Sequence, residues 1–340
     1  MICIFCIEEH PPSLEHVFPL AIGGTITTDR LCARCNSTLG SRVDAALSDF
    51  FPIRMRRANL NLAGNGGNPP AWHELFHGEA KLVGSEANRV STTFDKTSGK
   101  LDTRQLYHAA NVVMPDGTKT RQITVDARDK DQLPIIIERE RKRHGLPPLT
   151  PDQLAVALSN VTSRTIDHPL IHRTFSFSFA YLRHALFKIT YELAFLWLGE
   201  SYLDDPLAAE LREAICKEDV ASTDHLTGYV GEAPGCNVFR HWNSHEAHHL
   251  AYATDVVNSV IISVRIFDIY AASVVVSKDA SRYFRSSADA TKCRFLAIDS
   301  VSGRTIDVPF NVESRRLAVA MSTHGRLPPF PDPLEETAAA

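Results

Sequence analysis

Two Cys-x-x-Cys pairs near the start constrain this chain more than any other feature. Cys3 and Cys6 form the first pair, Cys32 and Cys35 the second, and twenty-five residues separate Cys6 from Cys32. Each pair lets two sulfurs converge on one ion from a tight turn. Two such pairs close a tetrahedral four-cysteine zinc site with no open coordination position, which makes the site structural. The loop between the pairs is too short to bury a core of its own. The metal supplies the missing folding free energy, on the order of 10 kcal/mol in small zinc modules. Two disulfides are the other use of four such thiols and belong to an oxidising compartment. The chain opens Met1-Ile2-Cys3 with no basic and apolar leader, so reduced thiols, zinc and a cytoplasmic location are expected.

A closed zinc site does no chemistry, so the polar residues around it need their own account. Glu15-His16 lies between the pairs, followed by Pro19 and Gly23-Gly24, and Asn36 comes directly after the last cysteine, with Gly40 and Asp44 beyond it. Histidine is the side chain best suited to take a proton from water near neutral pH. A glutamate carboxylate and an asparagine carbonyl are hard oxygen ligands for magnesium or manganese. Zinc pins the segment of Asn36 beside that of Glu15-His16. A Mg2+ or Mn2+ ion held by Glu15 and Asn36, with His16 facing a water, suits phosphodiester hydrolysis. The ion stabilises charge on the phosphate and on the leaving 3′ oxygen, while His16 activates the attacking water.

Cys3-x-x-Cys6, Glu15-His16-Val17-Phe18-Pro19, Gly23-Gly24, Cys32-x-x-Cys35-Asn36, Gly40 and Asp44 together resemble the HNH endonucleases of the zinc-bound ββα-metal type. The resemblance covers roughly residues 1–50. It implies a β-hairpin turned at Gly23 and Gly24, then a helix starting near Asn36. It implies His16 as general base, Glu15 and Asn36 as ligands of the catalytic divalent ion, and Cys3, Cys6, Cys32 and Cys35 as ligands of the structural zinc. One departure stands out. The family carries an Asn shortly before the third cysteine, and here that stretch reads Thr27-Thr28-Asp29-Arg30-Leu31. Asp29 can brace the loop in its place, or Arg30 can contact a phosphate.

The formal charge of the 340-residue chain is −4, so bulk positive charge does not bring it to nucleic acid, and any DNA contact is local. Arg54, Arg56 and Arg57, just after the expected helix, form one candidate patch, with a solvated helix end as the alternative. The partner implied is DNA, together with a protein partner or a second copy of the chain if both strands are to be cut; no membrane is implied. The rivals to a nuclease acting alone are two. One is a nuclease effector subunit switched on by a partner or signal, as in anti-phage defence. The other is a zinc-dependent DNA- or protein-binding module without catalysis.

The fold class expected is α+β: the zinc module over residues 1–60, a linker over 61–71, a larger mixed α/β domain of unrecognised fold with a regulatory or target-recognition role over 72–326, and a flexible tail over 327–340. Within the large domain, strands are expected at 79–83 and 121–126, with a turn at 114–118, and Ile135-Ile136-Ile137 closes the first β-rich section. Thr150-Pro151-Asp152-Gln153 is a helix start. Helices are expected at 180–198, ending at Gly199, and at 206–216. Arg183, His184, Lys188 and Glu192 interrupt the first of these and mark it as a buried core helix, not a membrane span. A Gly-rich loop at 228–235 precedes strands at 256–267, 270–277, 295–298 and 305–309. Cys216, Cys236 and Cys293 read as small buried residues, and His241, His245, His248 and His249 as a solvated cluster or a nucleic-acid contact.

Overall fold

The structure, a computed structural model, describes residues 1–84, 88–95, 97–175, 179–217, 227–232, 239, 242, 246–285 and 287–324. Cys236, His241, His245 and the tail at 327–340 lie outside the described residues. Contacts divide the chain into two compact units: Met1–Pro70 with Phe177–Ala340, and Ala71–Ser176. The sequence-based division after residue 60 differs from this one, because the N-terminal module shares its core with the C-terminal half.

The first unit begins with the hairpin of β1 (Ser13–His16) and β2 (Thr27–Leu31), paired antiparallel. Gly23 and Gly24 serve the connection for two steric reasons. Gly23 caps the short turn Leu20–Ile22 at φ 83°, and a Cβ there would meet the Ser300 backbone. A Cβ on Gly24 would lie 1.8 Å from the Phe18 carbonyl oxygen. Gly24→Ala should therefore destabilise the fold by about 3 kcal/mol, read as a lower denaturation midpoint; an unchanged midpoint contradicts this packing.

Helix α1 (Ala33–Leu39) follows, capped by the Cys32 sulfur, which accepts from the Cys35 N–H. It runs through a π turn at Gly40–Asp44 into α2 (Ala45–Asp49). A π turn adds a residue to the helix and re-aims the side chains at and beyond it. Phe50 breaks the helix with an extended backbone, and Pro52 sits in the first turn of α3 (Phe51–Asn59).

The second unit holds β3 (Gly78–Leu82), β4 (Arg89–Asp95), β5 (Lys100–Gln105), the separate hairpin β6 (His108–Val113) and β7 (Lys119–Thr124), α4 (Leu133–Arg143), α5 (Pro151–Ser159) and β8 (Ile171–His172). The sheet order is β5-β4-β3-β8. The expected turn and strands are here, and Thr150 and Gln153 form the expected reciprocal cap of α5. Ile135-Ile136-Ile137 is not the end of the β section. It lies in α4, where Pro134 starts the helix and Ile135 faces solvent. Its anchor is Glu140, buried on that helix and bound by Arg121, Tyr107 and His144.

The first unit resumes with α6 (Phe179–Leu198), ended by Gly199 at φ 87°, and α7 (Pro206–Cys216), whose N-cap is Asp205. An antiparallel sheet follows: β9 (Thr227–Glu232), β10 (His248–Val256), β11 (Ser259–Ile266), β12 (Tyr270–Ser277), β13 (Arg294–Asp299) and β14 (Thr305–Pro309), in the order β14-β13-β10-β11-β12-β9. Helix α8 (Phe310–His324) ends the described chain. β9 stands where a Gly-rich loop was expected, because pairing with β12 overrides the local glycine signal. Cys216 is exposed at the end of α7 and Cys293 half-buried, so neither is the fully buried residue expected.

Period-two alternation gives the sheet two faces. Ala251, Ala253, Leu296 and Ile298 join the main core, against which α6 and α7 pack. Tyr252 and Phe295 face the other way, into an aromatic cluster with Phe239, Trp242 and Phe310 at the start of α8. α6 lies between the sheet and the π turn and α2 of the zinc module, which is why nearly its whole circumference is apolar. The main core runs without a break from Cys3, Ile4 and Phe18 through Leu186 and Phe187 to Ile298.

Candidate functional site

The four cysteines are brought together. Their sulfurs lie within 4.8 Å of one another, with Cys3 and Cys32 buried and Cys6 and Cys35 half-buried. The Cys6 and Cys32 sulfurs are 3.9 Å apart. A disulfide needs about 2.0 Å, whereas a tetrahedron with Zn–S bonds of about 2.3 Å has edges of about 3.8 Å. The N–H of Cys32 donates to the Cys3 sulfur at 3.3 Å, and the N–H of Cys35 to the Cys32 sulfur at 3.4 Å. Burial works against a thiolate at Cys32, yet the Cys35 N–H and the neighbouring thiols outweigh it and bring Cys32 down to about 7. Burial and adjacent sulfurs hold Cys6 and Cys35 above the usual thiol range. Four thiols that cannot all ionise side by side are relieved by a central cation, and the set fits structural zinc. Glu8 and His10 lie close to Cys6, but they are surface groups bonded to each other at 3.1 Å.

Asn36, one helical turn into α1, reaches back to β1. Its Nδ2 donates to the Leu14 carbonyl at 2.8 Å and to Ser13 Oγ at 3.0 Å. A carbonyl can only accept, so the amide nitrogen is fixed on the strand and the Oδ1 oxygen is the atom left for a ligand. His16 ends β1 half-buried. Glu15, next to it, is turned into the interior and is 4% exposed. Its Oε1 accepts from Lys188 Nζ at 2.5 Å, a contact across 173 residues to α6. Asp44, on the π turn, meets the same ammonium at 3.2 Å, and Glu192 Oε1 lies 3.5 Å from it.

Lys188, Glu192 and Asp44 were not assigned to the site from sequence. Two charges spaced i,i+4 on a helix apolar almost all round were the available signal, since a buried charge needs a partner. Burial opposes the charge on Lys188, and Glu192, Asp44 and Glu15 together outweigh it, so this lysine stays an ammonium. Asp44 is raised to about 6, by burial first, against the attraction of Lys188. Burial also raises Glu192 well above the usual carboxylate range.

Three of the four candidate phosphate-binding arginines make contacts within the protein. Arg30 pairs with Glu200 at 2.8 Å and lies over the Phe195 ring. Arg56 pairs with Asp268 at 2.8 Å. Arg57 is buried and donates to the Ser48 carbonyl at 3.1 Å. Arg54 is half-buried, with no ion-pair partner among the described residues. Asp29, the possible loop brace, is exposed on β2.

The turn that follows His16 is held by the sheet. His249 Nε2 lies 2.8 Å from the Ile22 carbonyl, Nδ1 accepts from the Phe267 N–H at 3.2 Å, and Phe18 stacks on the ring. Its neighbour His248 is also buried, so these two do not form the solvated cluster expected. Burial holds His249 down to about 4 from 6.5, helped by His248 and Arg265 and opposed by the Ile22 bond. The folded form is the neutral ring, whereas the unfolded chain takes up a proton below 6.5. Its contribution, roughly 3 kcal/mol, is complete above that pH and drains away as pH falls towards 4. Urea midpoints measured from pH 7 to 4 should fall, and His249→Gln should flatten that slope; equal slopes contradict the assignment.

A hairpin with a helix docked on its first strand, beside a four-cysteine cluster that fits structural zinc, is the architecture defined by these contacts. Residues 3–52 match the family model described as HNH endonuclease. No curated protein and no solved structure matches the chain.

Proposed function

We propose that the N-terminal module is a divalent-metal-dependent endonuclease that hydrolyses phosphodiester bonds in DNA. The observation that carries this reading is the Asn36 amide bonded to the backbone of the strand that bears Glu15 and His16, inside a module of HNH type. His16 takes the proton from the attacking water. Glu15 and Asn36 hold Mg2+ or Mn2+, and both are hard oxygen donors that fit such an ion. When bound, the ion stabilises charge on the phosphate and on the leaving oxygen. The bonds from Asn36 to Ser13 and Leu14 position its carbonyl oxygen, which is the part second-layer hydrogen bonds play around metal ligands. Arg54 remains as a local phosphate contact.

Zinc-loaded full-length protein, incubated with supercoiled plasmid, should give nicked circles in Mg2+ or Mn2+ and none with EDTA. Product independent of added ion overturns the metal requirement. A second reading, an effector nuclease switched on by a partner or signal, is favoured by one observation: an ammonium sits on the carboxylate that the ion needs. In that case the protein alone leaves plasmid intact and gains activity with its activator. The regulatory or target-recognition role belongs to the rest of the chain.

A further inference from the structure

We propose that Glu15 and Asp44 share one cation position, for which Lys188 and a divalent ion compete, and that Asp44 is a ligand of that ion. The inference rests on the reading of Glu15 as a metal ligand given above and adds a residue and a competitor to it.

Lys188 Nζ is a cation placed by the fold, and it marks where a cation touches both carboxylates. It lies 2.5 Å from Glu15 Oε1, and 3.1 and 3.2 Å from the two Asp44 oxygens. The His16 carbonyl completes the ring of oxygens at 3.5 Å. These groups come from separate places in the chain: the end of β1, the π turn and α6. Asp44 reaches the position because the π turn re-aims it there.

A structural ion pair matches charge one for one, and this cluster does not. Three carboxyl groups surround one ammonium, whose three N–H bonds are taken by Glu15, Asp44 and the His16 carbonyl. Glu192 is fully buried on the same helix, and neither of its oxygens has a hydrogen-bond donor among the described residues. Asp44 Oδ1 is also without one, although the ammonium is 3.1 Å away. Glu192, which burial holds towards the neutral acid, makes no such demand, but an Asp44 oxygen short of a donor beside Glu15 points to a ligand of higher charge than one ammonium. A divalent ion that accepts carboxylate and carbonyl oxygens meets that description. It cannot share the Glu15 oxygen with Lys188, because two cations packed together in a dry interior repel strongly. One must leave for the other to bind.

The test is Mn2+ binding to zinc-loaded full-length protein, followed by the paramagnetic resonance signal of free Mn2+. Lys188→Met should tighten binding at least tenfold, and adding Asp44→Asn should reverse the gain. Lys188→Arg should bind no tighter than wild type. Lys188→Gln combined with Glu192→Gln replaces the buried pair by two amides and serves if Lys188→Met does not fold; it should also tighten binding. Asp44→Asn alone, which leaves Lys188 on Glu15, should weaken binding at least tenfold. Affinity indifferent to both Lys188 and Asp44 overturns the proposal. If such a protein still nicks plasmid, the nuclease reading stands without it. Binding that responds to both residues in a protein that never cleaves upholds the shared position and overturns the nuclease reading.

Discussion

Cys32→Ser is expected to unfold the first fifty residues. The residue is 3% exposed and has three roles at once, two of them through its sulfur and one through its backbone. It is one of the four converging sulfurs, it caps α1 through the Cys35 N–H, and its own N–H ties β2 to the Cys3 sulfur. Serine can replace the cap but is a poor zinc ligand, and an open fourth position weakens the whole site. The zinc contribution is on the order of 10 kcal/mol, comparable to the total stability of a domain, so losing most of it leaves the hairpin held only by its share of the main core. The Tyr191 hydroxyl donates to the Ile4 carbonyl at 2.6 Å, and Arg42 caps the carbonyls of Ile215 and Cys216 at the end of α7. Damage should therefore spread to α6 and α7. Limited proteolysis with zinc analysis checks this. New cleavage sites within residues 1–50 and loss of bound zinc are expected; wild-type resistance with zinc retained contradicts the clamp.

The parts of the fold that could be read from sequence are those fixed by local chemistry. Cysteine spacing, the Gly23-Gly24 turn and the Asn after the last cysteine define the hairpin and its helix. The Thr150 cap and the apolar period of α6 and α7 work at the same short range. Long-range partners were hidden. Lys188 and Glu192 marked α6 as a buried helix, yet nothing in their neighbourhood said that Glu15, 173 residues earlier, was their partner. Arg56 belonged to a basic run, and Asp268, which neutralises it, sits on a distant turn of the sheet. Ile135 to Ile137 carried a strand signal from β-branching, whereas Pro134 and the charged residues after it made a helix. Residues 1–60 were also expected to stand apart from the larger domain. Their share in a core that reaches Ile298 depends on side chains that only the fold brings together.

The largest effect on activity is expected at His16. It stands half-buried at the end of β1, the strand on which Asn36 is anchored. Replacing it by alanine removes the proposed proton acceptor while leaving the zinc ligands and the contacts from Asn36 to Ser13 and Leu14 in place. General base catalysis contributes typically 10²–10⁴-fold, so a loss of about a thousandfold in nicking rate is expected without loss of fold.

One comparison bears most directly on the assignment of a metal-dependent nuclease: wild type against His16→Ala on supercoiled plasmid in Mn2+, at equal zinc content and equal thermal stability. Nicked circles are expected from the wild type and almost none from the variant. Equal cleavage by the two proteins would contradict it.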